Sequence, residues 1–335
     1  MKTLNQYIKE RLIINQRFDE KLIINQRFDE KLIINKDYRD NTIVVKSFDE
    51  LRKIIEQRYE EQGPGTEQNP IDFNDIDVSN IDSFYNHNKG KGIFQGTQFK
   101  YIDISDWDVS NIESMYGMFY ECKELESVGD LSSWDVSNVT NMAFMFGNCR
   151  RFNKDLSSFD VSNVTNMRYM FFGCENFNQN ISGWNVSSVE NMESMFYCCN
   201  KFNTDLSSWD VSSVENMEYM FYDCENFNQD ISKWNVSKVT NMAYMFYYCK
   251  KFNQDISKWK VSSVIDMNHM FYRCESFNKD ISKWDVSSVK DMSFMFDFCN
   301  SFNQDISEWN VSNVTDKAGM FHCCSIKREY KPKFK

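Results

Sequence analysis

Between Phe202 and Ser276 one 25-residue pattern is written three times, F-N-x-D-[IL]-S-x-W-x-V-S-x-V-x-x-M-x-x-M-F-x-x-C-x-x. A period of this length marks a repeat architecture, because a 25-residue unit cannot bury its apolar face alone and must stack on copies of itself. A chain of 335 residues would otherwise suggest two or three domains. A stacked array instead grows in one dimension without needing a new core. The rhythm extends beyond the three clearest copies. Trp stands at 107, 134, 184, 209, 234, 259, 284 and 309, with Phe159 in the missing place, which gives nine units. The first spacing is 27 rather than 25, because Leu125 and Glu126 are extra.

Within a unit, Ile231, Trp234, Val236 and Val239 follow the spacing L-x-x-L-x-L-x-x, which predicts a strand with Trp234 and Val236 inward and Asn235 outward. Val239, Met242, Met245, Phe246 and Cys249 fall at i, i+3, i+6, i+7 and i+10, a spacing that predicts a helical segment packed on that strand. Lys317 replaces the first Met of M-x-x-M-F in the last unit, so the inward face is expected to end there.

The formal net charge is −11, but residues 63–326 hold 20 basic and 36 acidic groups and therefore carry −16. An acidic body repels phosphate backbones and anionic membrane surfaces, so neither nucleic acid nor lipid is the expected partner. No window of 18 uncharged apolar residues predicts a transmembrane helix. The polar opening Met1–Glu10 does not read as an export signal.

Four sections follow. Residues 1–46 hold near-identical decapeptides such as Lys21-LIINQRFDE, whose short β-branched runs suit extended chain better than helix. Residues 47–99 read as a capping module. Ser47 and Glu50 form a capping box before a helix over 48–61 with Leu51, Ile54, Ile55 and Tyr59 on one face, stopped by Gly63-Pro64-Gly65. A degenerate first repeat follows at Ile76–Ile81. Residues 100–326 are the array, and the basic tail 327–335 is expected to be mobile.

One Cys per unit stands at 122, 149, 174, 199, 224, 249, 274, 299 and 324, with Cys198 and Cys323 extra. No C-x-x-C pair suggests zinc, so a column of buried free thiols is expected, compatible with a reducing place of folding. The recurrent Asp and Asn of F-N-x-D lack the glycine-rich pattern of calcium solenoids, and hydrogen bonding to nearby backbone is the better account. No cofactor is expected. Three scattered His and no nucleophile elbow or phosphate loop predict no enzyme.

A repeat scaffold diversifies its working face. The outward site reads Asp108, Asp135, Asp160, Asn185, Asp210, Asn235, Lys260, Asp285 and Asn310, and two places earlier stand Lys233, Lys258 and Lys283. Tyr169, Tyr219 and Tyr244 form one aromatic column with His269 and Phe294, and Tyr197, Tyr222, Tyr247 and Tyr272 form another. Either set is a candidate surface for a protein or glycan, against the plainer reading of packing between neighbours.

The repeat resembles that of the BspA-type leucine-rich-repeat surface proteins, over about residues 100–326 with a similar lead-in from Phe48 to Ile81. The resemblance implies an α/β repeat solenoid, a right-handed leucine-rich-repeat-like array of about nine units with an N-terminal helical cap. It also implies a cell- or virion-surface protein used in adhesion. The expected function is a non-enzymatic binding module. The alternative is a structural, envelope- or virion-associated protein that assembles through its N-terminal segment.

Overall fold

A computed structural model of the chain describes residues 42–334. The expectations for the decapeptides therefore lie outside the described residues. The chain divides into Met1–Val44 and Val45–Lys335. Of the first unit, only Thr42 and the short strand β1, Ile43–Val44, are described.

The second unit opens with α1, Phe48–Gln62. Ser47 is extended, and its hydroxyl accepts the Glu50 amide at 3.2 Å. The Glu50 carboxylate accepts from the Lys46 amide at 2.7 Å, one residue earlier than a capping box requires. Gly63, at φ 75°, ends the helix by donating its N–H to the Tyr59 carbonyl. Leu51, Ile54 and Ile55 are buried, and the Arg52 guanidinium donates to the carbonyls of Ile93 and Gln95. Tyr59 meets Phe99 edge-on at 5.1 Å. Short strands follow: β2 (Ile71–Asp72), β3 (Ile76–Asp77), β4 (Tyr85–Asn86), β5 (Lys91–Gly92) and β6 (Ile102–Asp103). β2 pairs in parallel with β6, and β4 turns back antiparallel on β5.

From there the protein is a repeat in which each unit lies against the next, but it uses neither the strand nor the helix that the spacing predicts. The Met-Phe segment is a tape of turns. The amides of Met242, Tyr244, Phe246 and Tyr248 donate to the carbonyls of Asp266, Asn268, Met270 and Tyr272, 24 residues on, at 2.8–3.0 Å. The amides of Met245, Tyr247 and Cys249 close i-to-i+3 turns on Met242, Tyr244 and Phe246, and that of Ala243 donates to Asn241 Oδ1. Single parallel bridges join Asn141, Asn166, Asn191, Asn216, Asn241 and Asp266 in succession. Left-handed residues, Tyr244 at φ 57° and Tyr248 at φ 61°, interrupt any helix twice per unit. The i, i+3, i+7 apolar spacing is equally satisfied by this coil of turns, which is why it reads as helical.

The Trp-Val stretch buries as predicted, with Trp234 and Val236 at 3% and 1% exposure and Asn235 exposed. It is not a strand, because backbone pairing is replaced there by side chains. Asp230 and Asn235 each accept the amide of the Ser two residues on. The Trp234 indole N–H donates to the Leu206 carbonyl of the preceding unit at 3.0 Å, and the Asn253 amide donates to Asn228 Oδ1 at 2.9 Å.

The core is a set of columns running through the units. Trp234 lies 6.4 Å from Trp259 at 2°, and Phe221 lies 5.7 Å from Phe246 at 5°. The cysteines are free, and eight of them, Cys122 to Cys299 in register, are buried. Each thiol donates to a Phe carbonyl in the unit before, as Cys249 does to Phe221 at 3.0 Å.

The tail corrects a second expectation. It is folded against the last unit: Arg328–Tyr330 form a 3-10 turn, the Ile306 amide donates to the Tyr330 carbonyl at 3.0 Å, and Pro332 is buried. Lys331 lies over the Phe321 ring at 5.1 Å, and Lys317 over Phe334 at 4.7 Å. The final core face, left without a tenth unit, is covered by the chain's own end.

Candidate functional site

The tape determines which side chains the repeat displays. In an extended strand, alternation places every second residue outward; here the left-handed residue swings its side chain onto the surface, and the residue three later joins it. Tyr219, Tyr244, His269 and Phe294 occupy the left-handed position. Tyr222, Tyr247 and Tyr272 stand three places on.

The two predicted columns meet as one patch. Tyr197, Tyr222, Tyr247 and Tyr272 stack at 4.3, 4.4 and 4.5 Å with ring planes within 5° of parallel. Tyr219, Tyr244 and His269 stack beside them at 4.6 and 4.4 Å. Cross-contacts such as Tyr219–Tyr222 and Tyr244–Tyr247, at 5.8 and 5.7 Å, tie the columns together. Buried Ser194 breaks the first column, so Tyr169 reaches the patch only through Phe172, 5.7 Å from it and 5.0 Å from Tyr197. Tyr169 stacks on Phe144 at 4.5 Å and donates its hydroxyl to Glu193 at 2.7 Å.

These rings are half-buried, and their faces are covered by neighbouring rings. Desolvation pushes the phenol of Tyr219 up to about 12 and those of Tyr222 and Tyr247 higher still, so all are neutral donors at ordinary pH. The patch borders acid. Burial, then the charges of Glu193 and Asp266, raise the Glu218 carboxyl, and burial, then the charges of Asp266 and Asp291, raise the Tyr244 phenol.

The other predicted sites are exposed but are not gathered with the tyrosines. Asp108, Asp135, Asp160, Asn185, Asp210, Asn235, Asp285 and Asn310 each accept the amide of the Ser two residues on. They therefore serve the turn first. Lys233, Lys258, Lys260 and Lys283 are exposed and form no salt bridge among the described residues. Sequence reasoning missed Arg273, whose guanidinium lies 5.0 Å from the Tyr248 ring and 4.6 Å from Phe298. Its column, Tyr248-Arg273-Phe298, is readable only once the second left-handed position is known.

The family model described as Mycoplasma protein of unknown function, DUF285, matches residues 88–200, 174–273 and 253–330, overlapping spans that together cover more than half of the chain. The protein belongs to the DUF285 family. The three matches run from residue 88 to 330 and take in the whole of the array. No curated protein and no solved structure matches the chain. Among the described residues of this DUF285 protein, no helix is long and apolar enough to cross a membrane.

Proposed function

We propose that this repeat protein is a non-enzymatic binding module whose working surface is the double aromatic column from Tyr197 to Tyr272, and that its ligand is a protein. The carrying observation is the stack itself. Successive rings of Tyr197, Tyr222, Tyr247 and Tyr272 lie 4.3–4.5 Å apart in near-parallel planes, pre-ordered by the core beneath. Tyrosine supplies much contact area at low entropic cost when its ring is already fixed, which is why it recurs at binding hot spots. A sugar needs an open ring face to stack upon, and these faces are covered by neighbouring rings. Edges, neutral hydroxyls and bordering carboxylates suit an extended protein segment carrying Lys or Arg. The −16 charge of residues 63–326 favours the same partner by long-range attraction.

The likeness to BspA-type surface proteins supports an adhesive use. We infer that the nine units form one solenoid. It is leucine-rich-repeat-like in the spacing of its apolar residues, with turns where that fold has strands.

The test is a pull-down with the full chain, followed by titration of any captured protein. Replacing Tyr222 and Tyr247 with Ser should weaken binding at least tenfold, with the change lying in the dissociation rate. Binding unchanged by that pair but abolished by Lys233→Glu, Lys258→Glu and Lys283→Glu would move the site to the lysine stripe and overturn the proposal.

A further inference from the structure

The tyrosine column Tyr197-Tyr222-Tyr247-Tyr272 ends in two departures that touch. Asp297 takes the next place and His322 the one after. Asp297 is buried, 3% exposed, and its Oδ1 lies 2.8 Å from Nδ1 of His322. A carboxylate accepts only, so Nδ1 carries the proton it donates, leaving the lone pair of Nε2 free. That nitrogen lies 3.6 Å from the sulfur of Cys323. Cys323 is the one exposed thiol among the described residues. Its backbone is left-handed at φ 49°, and its amide, like those of Gly319 and Phe321, meets no acceptor among the described residues.

An internal copy of the same motif provides a control within the molecule. Tyr197-Cys198-Cys199 stands five units earlier than His322-Cys323-Cys324. There a Tyr replaces the base, the Cys198 thiol faces Asp223 of the next unit at 3.8 Å, and burial followed by that carboxylate pushes it up to about 12. The terminal copy reverses both conditions: the thiol is uncovered, and an imidazole oriented by a buried carboxylate replaces the phenol. A nucleophile, a base within reach and a third group orienting the base together make up the arrangement that activates a thiol.

We propose that Cys323, His322 and Asp297 form a reactive-thiol site at the end of the array, taking small disulfides in thiol–disulfide exchange. Nε2 of His322 accepts the Cys323 proton as the sulfur attacks one sulfur of R–S–S–R. The S–S bond breaks, the Cys323–S–S–R bond forms, and the departing thiolate recovers the proton as RSH. One thiol is oxidised to the mixed disulfide and one sulfur of the reagent is reduced. The reaction is stoichiometric. The unpaired amides, together with Lys331, which acts on neighbouring Cys324, favour an anionic disulfide.

The experiment treats the full native chain with 5,5′-dithiobis(2-nitrobenzoate), itself an anionic disulfide, and identifies the labelled residue by peptide mapping. The first equivalent should enter at Cys323, and Cys323→Ser should abolish it while Cys324→Ser leaves its rate unchanged. His322→Ala should slow it at least tenfold, and free imidazole should restore part of the loss, an outcome that a merely structural histidine would not produce. Asp297→Asn keeps an acceptor for Nδ1 but not the charge and should give an intermediate rate. His322 is 61% exposed in its side chain, so His322→Ala removes little packing, and circular dichroism checks that each variant is folded. In urea all variants with Cys323 should react alike. First labelling at another cysteine, or a rate within twofold of wild type in His322→Ala, overturns the proposal.

Discussion

At the scale of single residues, the repeat letters divide into those that fill volume and those that hold backbone. Trp234 does both: it is 3% exposed and its indole N–H satisfies the Leu206 carbonyl. Trp234→Ala should therefore cost about 3–5 kcal/mol from lost burial and cavity formation. Urea unfolding followed by circular dichroism measures it. Phe159, in the Trp place of its own unit, fills volume but has no such donor. Left-handed residues set the second rule. Gly173 is at φ +67°, and a Cβ there would lie 2.6 Å from Asn148 Oδ1, whereas Gly183 has neither a positive φ nor any atom within 4 Å. Gly173→Ala should destabilise by about 1 kcal/mol or more, and Gly183→Ala should stabilise by about 0.4–1 kcal/mol through the unfolded state. Equal effects at the two sites would mean that the left-handed position tolerates a side chain without cost.

At the scale of the element, the unit is held by turns whose acceptors are carboxylates. Asp230 is held below the usual aspartate range by the Ser232 hydroxyl and amide, and the same pair of donors acts on Asp108, Asp130, Asp135, Asp205, Asp210, Asp255, Asp285 and Asp305. A folded value below the unfolded one gives stability that is present above the unfolded value, about 3.9, and is lost as pH falls through the folded value. Thermal midpoints should thus be flat from pH 7 to about pH 5 and fall steeply below about 4. Converting several of these to Asn, the residue already present at 180, should shallow the acid limb. Much of the unit was legible in the sequence: the period, the inward letters, the free thiols and the hydrogen-bonding Asp and Asn residues. The secondary structure was not. The tape places Tyr244, Tyr248, Asp223 and Arg273 in left-handed backbone where glycine is the usual signal. Only Gly117, Gly173 and Gly319 betray it. With that signal nearly silent, an apolar spacing shared by helix and turn reads as helix, and the meeting of the two tyrosine columns shows only in the folded chain.

At the scale of the molecule, contacts run between neighbours 24 to 28 residues apart, from α1 at one end to the folded tail at the other. The sequence read the tail's charge correctly and its order wrongly, because Pro332 and Tyr330 act on a core face that exists only once the last unit is stacked. Stability in such a system is close to a sum of unit and interface terms. The four tape bonds per unit have a further, mechanical consequence. They lie between units, along the direction in which the ends would separate. A load applied to the termini therefore falls on one interface at a time, as in a zipper. Each unit of 25 residues, once freed, would lengthen the chain by about 85 Å. Single-molecule stretching should show evenly spaced, low-force steps of about that size. One cooperative rupture would contradict it. An array built this way should give ground gradually under pull.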